Sequence, residues 1–268
     1  MKKKLLLTLL MMLFSIMAIV NVIVAAETYG NLTYEISNGK ITITDCDESA
    51  RGEMVIPDTI NRYPVTSIGI YAFSYCTGLT NITIQDSVTS ISAYAFQNCT
   101  KLTSVIIPDS VTSIDAWAFY NCTGLKSITI PNSVTNIYMY AFLNCTGLKS
   151  IIIPDSVTRI VNGTFENCTE LTSVTIPDSV TSINDRAFYK CTSLTDVYYS
   201  GTEEDWNNIS IDSGNVPLLN ATIHFESNGT SEEPACTPGD VNADSEVDIQ
   251  DVMLVRRYVT GGYGVELK

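Results

Sequence analysis

The chain of 268 residues contains one histidine, His224, and charged residues make up only 16% of it. Zinc sites with paired histidines and H-E-x-x-H metalloproteases are therefore excluded. A catalytic triad is possible only with His224 as its base, and its place in the alternating run ATIHF favours a strand residue instead. The sequence also lacks GxSxG, a Walker loop, GxGxxG and CxxC, so the common signatures of several enzyme classes are missing.

Positive charge is scarce as well. Lys and Arg total 15 against 29 Asp and Glu, so the net charge is −14. Three lysines lie within residues 1–26, a segment that contains no acidic residue, and its removal would give −14 − 3 = −17. Such acidity argues against nucleic acid and anionic membrane surfaces as partners, because both attract cations.

Residues 1–26 predict a signal peptide. Three lysines precede a long apolar stretch, and Val24, Ala25 and Ala26 provide the small residues at which a signal peptidase cleaves. An uncleaved anchor is the alternative, because the apolar stretch is nearly long enough to span a bilayer. Both interpretations place the rest of the chain outside the cell, and no membrane contact beyond this segment is predicted.

The strongest signal in the sequence is a 23-residue repeat that covers positions 65–193. Six of the eight cysteines and six of the eight phenylalanines follow this interval, as do six leucines. The residues are Cys76, Cys99, Cys122, Cys145, Cys168 and Cys191, Phe73, Phe96, Phe119, Phe142, Phe165 and Phe188, and Leu79, Leu102, Leu125, Leu148, Leu171 and Leu194.

Each unit contains a strand and a return segment. In LTSVTIPDSVTSINDRAFYKCTS, which starts at Leu171, the first residues alternate between apolar and polar, and Pro177 ends the strand. One unit cannot be stable alone, because about six buried apolar side chains contribute roughly 1.5–3 kcal/mol each, while ordering each residue costs about 1–2 kcal/mol. The units are therefore expected to stack, with parallel strands about 4.8 Å apart and like residues in columns.

The pattern LxxVxIPxxVxxIxxxAFxxCxx resembles the BspA-like leucine-rich repeat of Treponema pallidum type. The resemblance implies a β-rich solenoid, a right-handed stack of 23-residue units with a parallel sheet, in a surface or secreted protein of adhesion or protein interaction. It extends to an N-terminal cap with an irregular first repeat over 27–64 and to a C-terminal cap over 194–225. The irregularity is five extra residues between Pro57 and Val65.

The predicted stack contains a column of cysteines and a column of aromatic residues. The cysteines are expected to be buried free thiols, because identical neighbours offer no preferred pairing; a disulfide between Cys46 and Cys236, which lie off the period, stays open. Four consecutive aromatic residues form the second column, which we call the aromatic strip. It either contacts a polysaccharide or protein ligand or packs beside the phenylalanines. The strip consists of Tyr71, Tyr94, Trp117 and Tyr140.

A calcium loop is predicted after a polar linker over residues 226–238. Oxygen-bearing side chains fall at loop positions 1, 3, 5, 9 and 12, position 7 offers a backbone carbonyl, and an apolar-periodic helix follows. The predicted Ca²⁺ ligands are Asp240, Asn242, Asp244, Glu246, Asp248 and Asp251.

Residues 239–268, with GDVNxDxxVDxxD followed by LVRRYV, resemble the first repeat of a type I dockerin. The resemblance implies calcium binding and docking to a cohesin module of a scaffoldin in a cellulosome. Ser245 replaces the usual glycine of the loop, and the chain ends before a second repeat, so we expect a longer reading frame. The positions that match the cohesin contacts of dockerins are Ile249, Gln250, Arg256 and Arg257.

These observations together predict a secreted, non-catalytic leucine-rich-repeat protein. It would be attached to a scaffoldin and take part in plant polysaccharide degradation or in adhesion to a substrate or cell. Two alternatives stay open at this point. The chain could be a truncated subunit of a dockerin-bearing glycoside hydrolase, with the enzyme domain beyond residue 268, or a bacterial surface adhesin.

Overall fold

The computed structural model of this protein describes residues 26–225. The predictions for residues 1–25 and 226–268, which comprise the signal peptide, the linker, the calcium loop and the cohesin contacts, lie outside the described residues, as does Cys236. The described residues form a β-solenoid of short parallel strands that recur at the predicted interval.

Nearly every coil contributes strands to the solenoid, and two short helices lie near its C-terminal end. The strands are β1 (Glu27–Tyr29), β2 (Leu32–Ser37), β3 (Lys40–Cys46), β4 (Gly52–Ile56), β5 (Thr59–Ile60), β6 (Tyr63–Ile68), β7 (Leu79–Ile84), β8 (Ser90–Ile91), β9 (Ser104–Ile106), β10 (Ser113–Ile114), β11 (Ser127–Thr129), β12 (Asn136–Ile137), β13 (Ser150–Ile152), β14 (Arg159–Ile160), β15 (Ser173–Ile176), β16 (Ser182–Ile183), β17 (Asp196–Tyr199), β18 (Ser210–Ile211) and β19 (Thr222–Phe225). The helices are α1 (Glu203–Asn207) and α2 (Val216–Asn220).

Two parallel ladders run along the array. The first ladder contains β4, β7, β9 and β11, followed by β13, β15, β17 and β19, and it pairs equivalent residues of successive repeats, such as Ile82 with Val105. The second ladder contains β6, β8, β10 and β12, followed by β14, β16 and β18, with pairs such as Ile91 and Ile114. Like residues therefore form columns, which confirms the expectation from the repeat.

The third side of the solenoid, which we call the turn side, consists of residues 69–76 and their equivalents in later repeats. It has no strands, yet its backbone also bonds from coil to coil. The amide of Phe73 donates to the carbonyl of Ala95 at 2.7 Å, and the amide of Phe96 donates to Ala118 at 2.8 Å. Where both ladders are continuous, each coil is thus joined to the next on three sides.

The core is built from the columns that the repeat predicted. The phenylalanine, cysteine and leucine columns are buried, and neighbouring phenylalanine rings stack with centroids 5.0 to 5.5 Å apart. Apolar residues of the two ladders close the core from the other sides. Because each side chain contacts its equivalents above and below, the stability of one repeat depends on its neighbours.

The N-terminal end is covered by β1, β2 and β3, which pair in antiparallel order before β3 joins β6 in parallel. The extra residues of the first repeat form a hairpin of β5 with β6. Its two-residue turn, Asn61 and Arg62, has positive φ at both positions, the geometry of a tight hairpin turn. The insertion therefore leaves the parallel register of the array intact.

The loop between β3 and β4 has only five residues, 47–51, whereas twelve residues, 92–103, join β8 to β9. This cap loop reaches the first turn at Cys76, whose Sγ donates to the carbonyl of Cys46 at 3.5 Å. Cys46 is off the sequence period, but it lies at the N-terminal end of the cysteine column. Ile70, Tyr71 and Tyr75 of the first turn are left exposed, whereas Ala72, Phe73 and Cys76 are buried.

Both ladders are divided at one place, between the repeat at 125–147 and the repeat at 148–170. The first ladder divides between β11 and β13, and the second divides between β12 and β14. The turn side continues across this junction, where the amide of Phe142 donates to the carbonyl of Thr164 at 2.9 Å. The array is thus continuous at the turn side and irregular at its sheets.

Candidate functional site

The structure brings the four residues of the aromatic strip together on the turn side. Ring centroids of successive members lie 4.9, 5.1 and 4.9 Å apart, with interplanar angles of 19°, 16° and 4°. Each inner ring therefore has both faces covered by its neighbours and presents its edge outward. Desolvation by this packing raises the pKa of the Tyr94 hydroxyl.

The strip ends at Tyr140 because the next residue in its column is Gly163. A Cβ at that glycine would clash with Cε1 of Tyr140, so the tyrosine ring occupies the space of the missing side chain. At the other end, no ring of residues 26–225 stacks on the outer face of Tyr71, whose side chain is 49% exposed. The strip thus has one closed end and one open end.

The backbone of the strip is in the left-handed region, with φ between 58° and 62°. This conformation directs each amide to the next coil: Tyr94 N donates to Ala116 O at 3.2 Å, and Tyr140 N donates to Asn162 O at 3.1 Å. For residues other than glycine it costs about 1–2 kcal/mol each. Stacking of aromatic pairs contributes about 0.5–1.5 kcal/mol per pair, which offsets much of that cost.

A ladder of asparagines runs parallel to the strip, and sequence reasoning missed it. Asn121 Nδ2 donates to Asn98 Oδ1 at 2.6 Å, Asn144 bonds to Asn121 and Asn167 bonds to Asn144 in the same way. Each asparagine has φ near 60°, a conformation that asparagine tolerates better than most residues. The recurring NCT sequence was the available signal, and it encodes this ladder.

The first turn exposes an apolar patch with an unpaired backbone, which we call the open end. It comprises the side chains of Ile70, Tyr71 and Tyr75, which are 60%, 49% and 53% exposed. It also includes the backbone carbonyls of Ile70 and Ser74, whereas Ala72 between them is fully buried. In the second turn the equivalent carbonyls, those of Ala93 and Gln97, accept from amides of the first turn, whereas no donor in residues 26–225 reaches the carbonyls of Ile70 and Ser74.

The cysteine column is chemically inert. All seven described cysteines are free and buried, in agreement with the predicted thiols. Most donate Sγ–H to a phenylalanine carbonyl of the preceding coil, as Cys99 does to Phe73 at 3.0 Å and Cys122 does to Phe96 at 3.1 Å. Burial raises the pKa of the Cys145 and Cys168 thiols well above the ordinary value and that of Cys191 to about 12. These thiols are poor nucleophiles and poor metal ligands at neutral pH.

His224 lies in β19, as the alternating run predicted, and it pairs with Asp196 of β17 at 2.7 Å. The hydrogen bond with His224 lowers the pKa of the Asp196 carboxyl. The ring of His224 stacks on Tyr198 with centroids 4.8 Å apart. These contacts hold the last strand of the ladder and are consistent with a structural role for the histidine.

The acidic run after Thr202 does not form a pair across a cleft. Its residues occupy the first turn of α1, and Asp205 completes a capping box with Thr202. All residues of α1 are exposed except Trp206, which is half-buried. Its ring contacts that of Tyr199 edge to face, with centroids 5.2 Å apart. Within residues 26–225, no cluster of His, Cys, Asp and Glu is arranged to hold a metal ion. The predicted Ca²⁺ and cohesin residues lie beyond this part.

Short parallel strands that recur at a fixed interval around one continuous core define a leucine-rich-repeat solenoid. Comparison with protein families agrees: residues 66–195 match the BspA type leucine rich repeat region in six copies. The repeat array of this chain is therefore similar to the BspA type leucine rich repeat region. A search of curated proteins gives no match.

Two solved structures illustrate the similarity. The T. pallidum leucine-rich-repeat protein TpLRR is 21% identical, with a TM-score of 0.52 over 76% of this chain and 100% of that protein. The pneumococcal vaccine antigen PcpA is 22% identical, with a TM-score of 0.54 over 68% of this chain and 51% of that one. At these identities the similarity shows the fold. Among the described residues, no helix meets the length and hydropathy needed to cross a bilayer.

Proposed function

We propose that the chain is a secreted, non-catalytic binding protein whose repeat array holds a ligand at the open end and along the aromatic strip. A binding protein of this kind needs an exposed, rigid surface and no reactive groups. The open end carries the proposal, because contiguous apolar side chains exposed on a soluble protein mark interaction sites. Export is supported by the signal-peptide pattern of residues 1–26.

The open end favours a protein as the ligand. Its two free carbonyls, those of Ile70 and Ser74, correspond to carbonyls of the second turn that each accept a backbone amide. An extended polypeptide can supply N–H groups at this spacing, and Ile70 and Tyr75 flank the row with apolar surface. A polysaccharide would be restricted to the outer face of Tyr71 and to the ring edges of the strip.

The repeats themselves provide variants that test this surface. Ile70→Ala together with Tyr75→Asn introduces the residues that stand at these positions in the next repeat, Ala93 and Asn98. We expect the double variant to keep its melting temperature and to bind at least about tenfold more weakly, since buried apolar anchors dominate interface energetics. The measurement is surface plasmon resonance against a panel of purified extracellular proteins and polysaccharides.

The matched control is Tyr29→Ala, which removes an exposed tyrosine from the N-terminal cap. It should bind the panel as the unmodified protein does. If the double variant binds every panel member with unchanged affinity, the open end is not the contact surface and this part of the proposal is wrong.

We further propose that the C-terminal segment attaches the array to a cohesin module of a scaffoldin in a cellulosome. The attached array would then take part in polysaccharide degradation. Support comes from the sequence: oxygen ligands in calcium-loop register from Asp240 to Asp251, and the dockerin-like positions Ile249, Gln250, Arg256 and Arg257. A module of this kind would bring the ligand of the array close to enzymes held on the same scaffoldin.

Calcium removal tests the attachment. Chain 27–268 should take up Ca²⁺ in isothermal titration calorimetry, and the signal should vanish in Asp240→Ala with Asp244→Ala, because a hard cation needs these oxygen ligands. Cohesin binding should require Ca²⁺ and be lost in EDTA. Asp212→Ala, which removes an exposed carboxylate of the array, is the control. Absence of Ca²⁺ uptake by the unmodified chain would contradict the proposal.

A further inference from the structure

A groove lies at the junction where both ladders are divided. It has a volume of about 320 Å³, near the lower end of the roughly 300–1,000 Å³ typical of small-molecule sites. Residues of the fourth and fifth repeats form its two walls, and Asn184 of the sixth repeat lies at its end. One wall contains Tyr138 and Met139, and the opposite wall contains Arg159 and Asn162.

The groove exists because the fourth and fifth repeats depart from the others at three positions. Tyr138 and Met139 stand where the second repeat has Ser92 and Ala93. Arg159 stands where most of the other repeats have serine, as at Ser113. Large side chains at these positions lie where the second ladder meets the turn side, at the junction where that ladder divides between β12 and β14.

One wall offers a flat apolar surface. Tyr138 is 45% exposed and Met139 is 48% exposed. Unlike the rings of the aromatic strip, the ring of Tyr138 stacks on no other ring of residues 26–225. An uncovered tyrosine ring is suited to the apolar face of a sugar, because it combines a flat surface with a polar tip.

The opposite wall offers a positive charge and amides. Arg159 Nε donates to Ser182 Oγ at 3.3 Å, and no carboxylate in the described part of the chain lies within 4.0 Å of its guanidinium. Asn184 Nδ2 donates to Asn162 Oδ1 at 3.3 Å, which leaves the amide of Asn162 able to donate into the groove. A guanidinium without a carboxylate partner can bind a carboxylate through two hydrogen bonds.

We propose that this groove binds a saccharide that carries a carboxylate. The ring of Tyr138 contacts the sugar face, the Arg159 guanidinium pairs with the carboxylate, and the neighbouring amides and hydroxyls bond to the sugar hydroxyls. The volume accommodates one or two sugar units. The groove lies between the second ladder and the turn side in the fourth to sixth repeats, whereas the open end lies in the first repeat, so this site is separate from the open end.

The test is calorimetry of chain 27–268 with three probes. Tetragalacturonate and sialyllactose carry a carboxylate from a plant and an animal source, and cellotetraose is neutral. We expect one or both acidic saccharides to bind, with affinity falling at high salt, and cellotetraose to bind at least about tenfold more weakly, because a charged hydrogen-bond pair is lost. The acidic probe that binds identifies the source.

Arg159→Ser and Tyr138→Ser restore residues of the other repeats, so both variants should keep the fold and its melting temperature. Each should weaken acidic saccharide binding about tenfold or more, whereas Lys101→Ser, which removes an exposed cation elsewhere on the array, should not. The proposal is overturned if the folded Arg159→Ser variant binds as the unmodified chain does, if no acidic saccharide binds, or if cellotetraose binds equally well.

Discussion

Replacing Phe119 with alanine should lower the free energy of unfolding by about 3–5 kcal/mol. Its ring is fully buried and stacks between Phe96 at 5.1 Å and Phe142 at 5.3 Å. The substitution removes the ring's transfer free energy from water, both stacking contacts, and the packing of the surrounding columns. It leaves a cavity in the middle of the array rather than at an end.

The structure cannot collapse into this cavity, because hydrogen bonds fix the coil on three sides. The amide of Phe119 itself donates to Ala141 O at 2.8 Å, and both ladders join this repeat to the previous one. A weakened central repeat also uncouples the two halves of the array, because stability is transmitted only between neighbours. We therefore expect the unfolding transition to broaden as well as to shift.

Urea unfolding followed by circular dichroism measures both effects. Tyr75→Ala is the matched control, because it removes an aromatic ring of similar size from the turn side at a position that is 53% exposed. It should cost less than about 1 kcal/mol, as surface substitutions usually do. A loss below about 1 kcal/mol for Phe119→Ala would mean that the phenylalanine column is not the core of the array.

The fold was predictable because the period of the repeat and the alternation of apolar residues within it both indicate a stacked β-solenoid. A constant interval separates Cys76 from Cys99 and Phe73 from Phe96. It determines which residues of successive coils lie above one another. Parallel strands with like residues in columns then follow from hydrogen bonding between coils. The sequence also placed Pro177 and its equivalents correctly, just after the strands of the first ladder.

What could not be predicted depends on geometry within a coil. The alignment of the aromatic strip follows from the period, but the stacking of Tyr94 against Trp117 with their edges outward depends on left-handed backbone at both residues. The asparagine ladder likewise depends on left-handed backbone at each of its residues. The open end depends on the length of the cap loop, and the groove depends on side chains of two different repeats, so neither has a signal within one unit.

Asn215 is a further residue that only the structure identifies, and Asn215→Ala should lower the free energy of unfolding by about 2–4 kcal/mol. Its side chain is 1% exposed. Oδ1 accepts from the amide of Phe188 at 2.9 Å, and Nδ2 donates to the carbonyls of Asn184 at 2.9 Å and Asp212 at 3.0 Å. In inner repeats a backbone carbonyl of the next coil accepts this amide, as Ala187 does for Phe165.

The asparagine therefore ends the hydrogen-bonded turn side at the last coil of residues 26–225. Alanine leaves the buried amide of Phe188 without an acceptor and the carbonyl of Asp212 without a donor, whereas the carbonyl of Asn184 still accepts from the amide of Ala187. An unsatisfied buried amide is more costly than the loss of an exposed hydrogen bond. Asn215→Asp keeps the acceptor but removes both donors, so it should lower the free energy of unfolding by less than Asn215→Ala does. Asn208→Ala, at an exposed position, should change that free energy little.

Urea unfolding gives the free energies, and native-state hydrogen exchange should show the amide of Phe188 exchanging faster in Asn215→Ala than in Asn208→Ala. If Asn215→Ala and Asn208→Ala are equally stable, with equal protection of that amide, then the turn side does not need this cap. The contrast with the open end would then lose its basis, because a buried side chain satisfies one end of the turn side, whereas two carbonyls at the other end have no donor within residues 26–225.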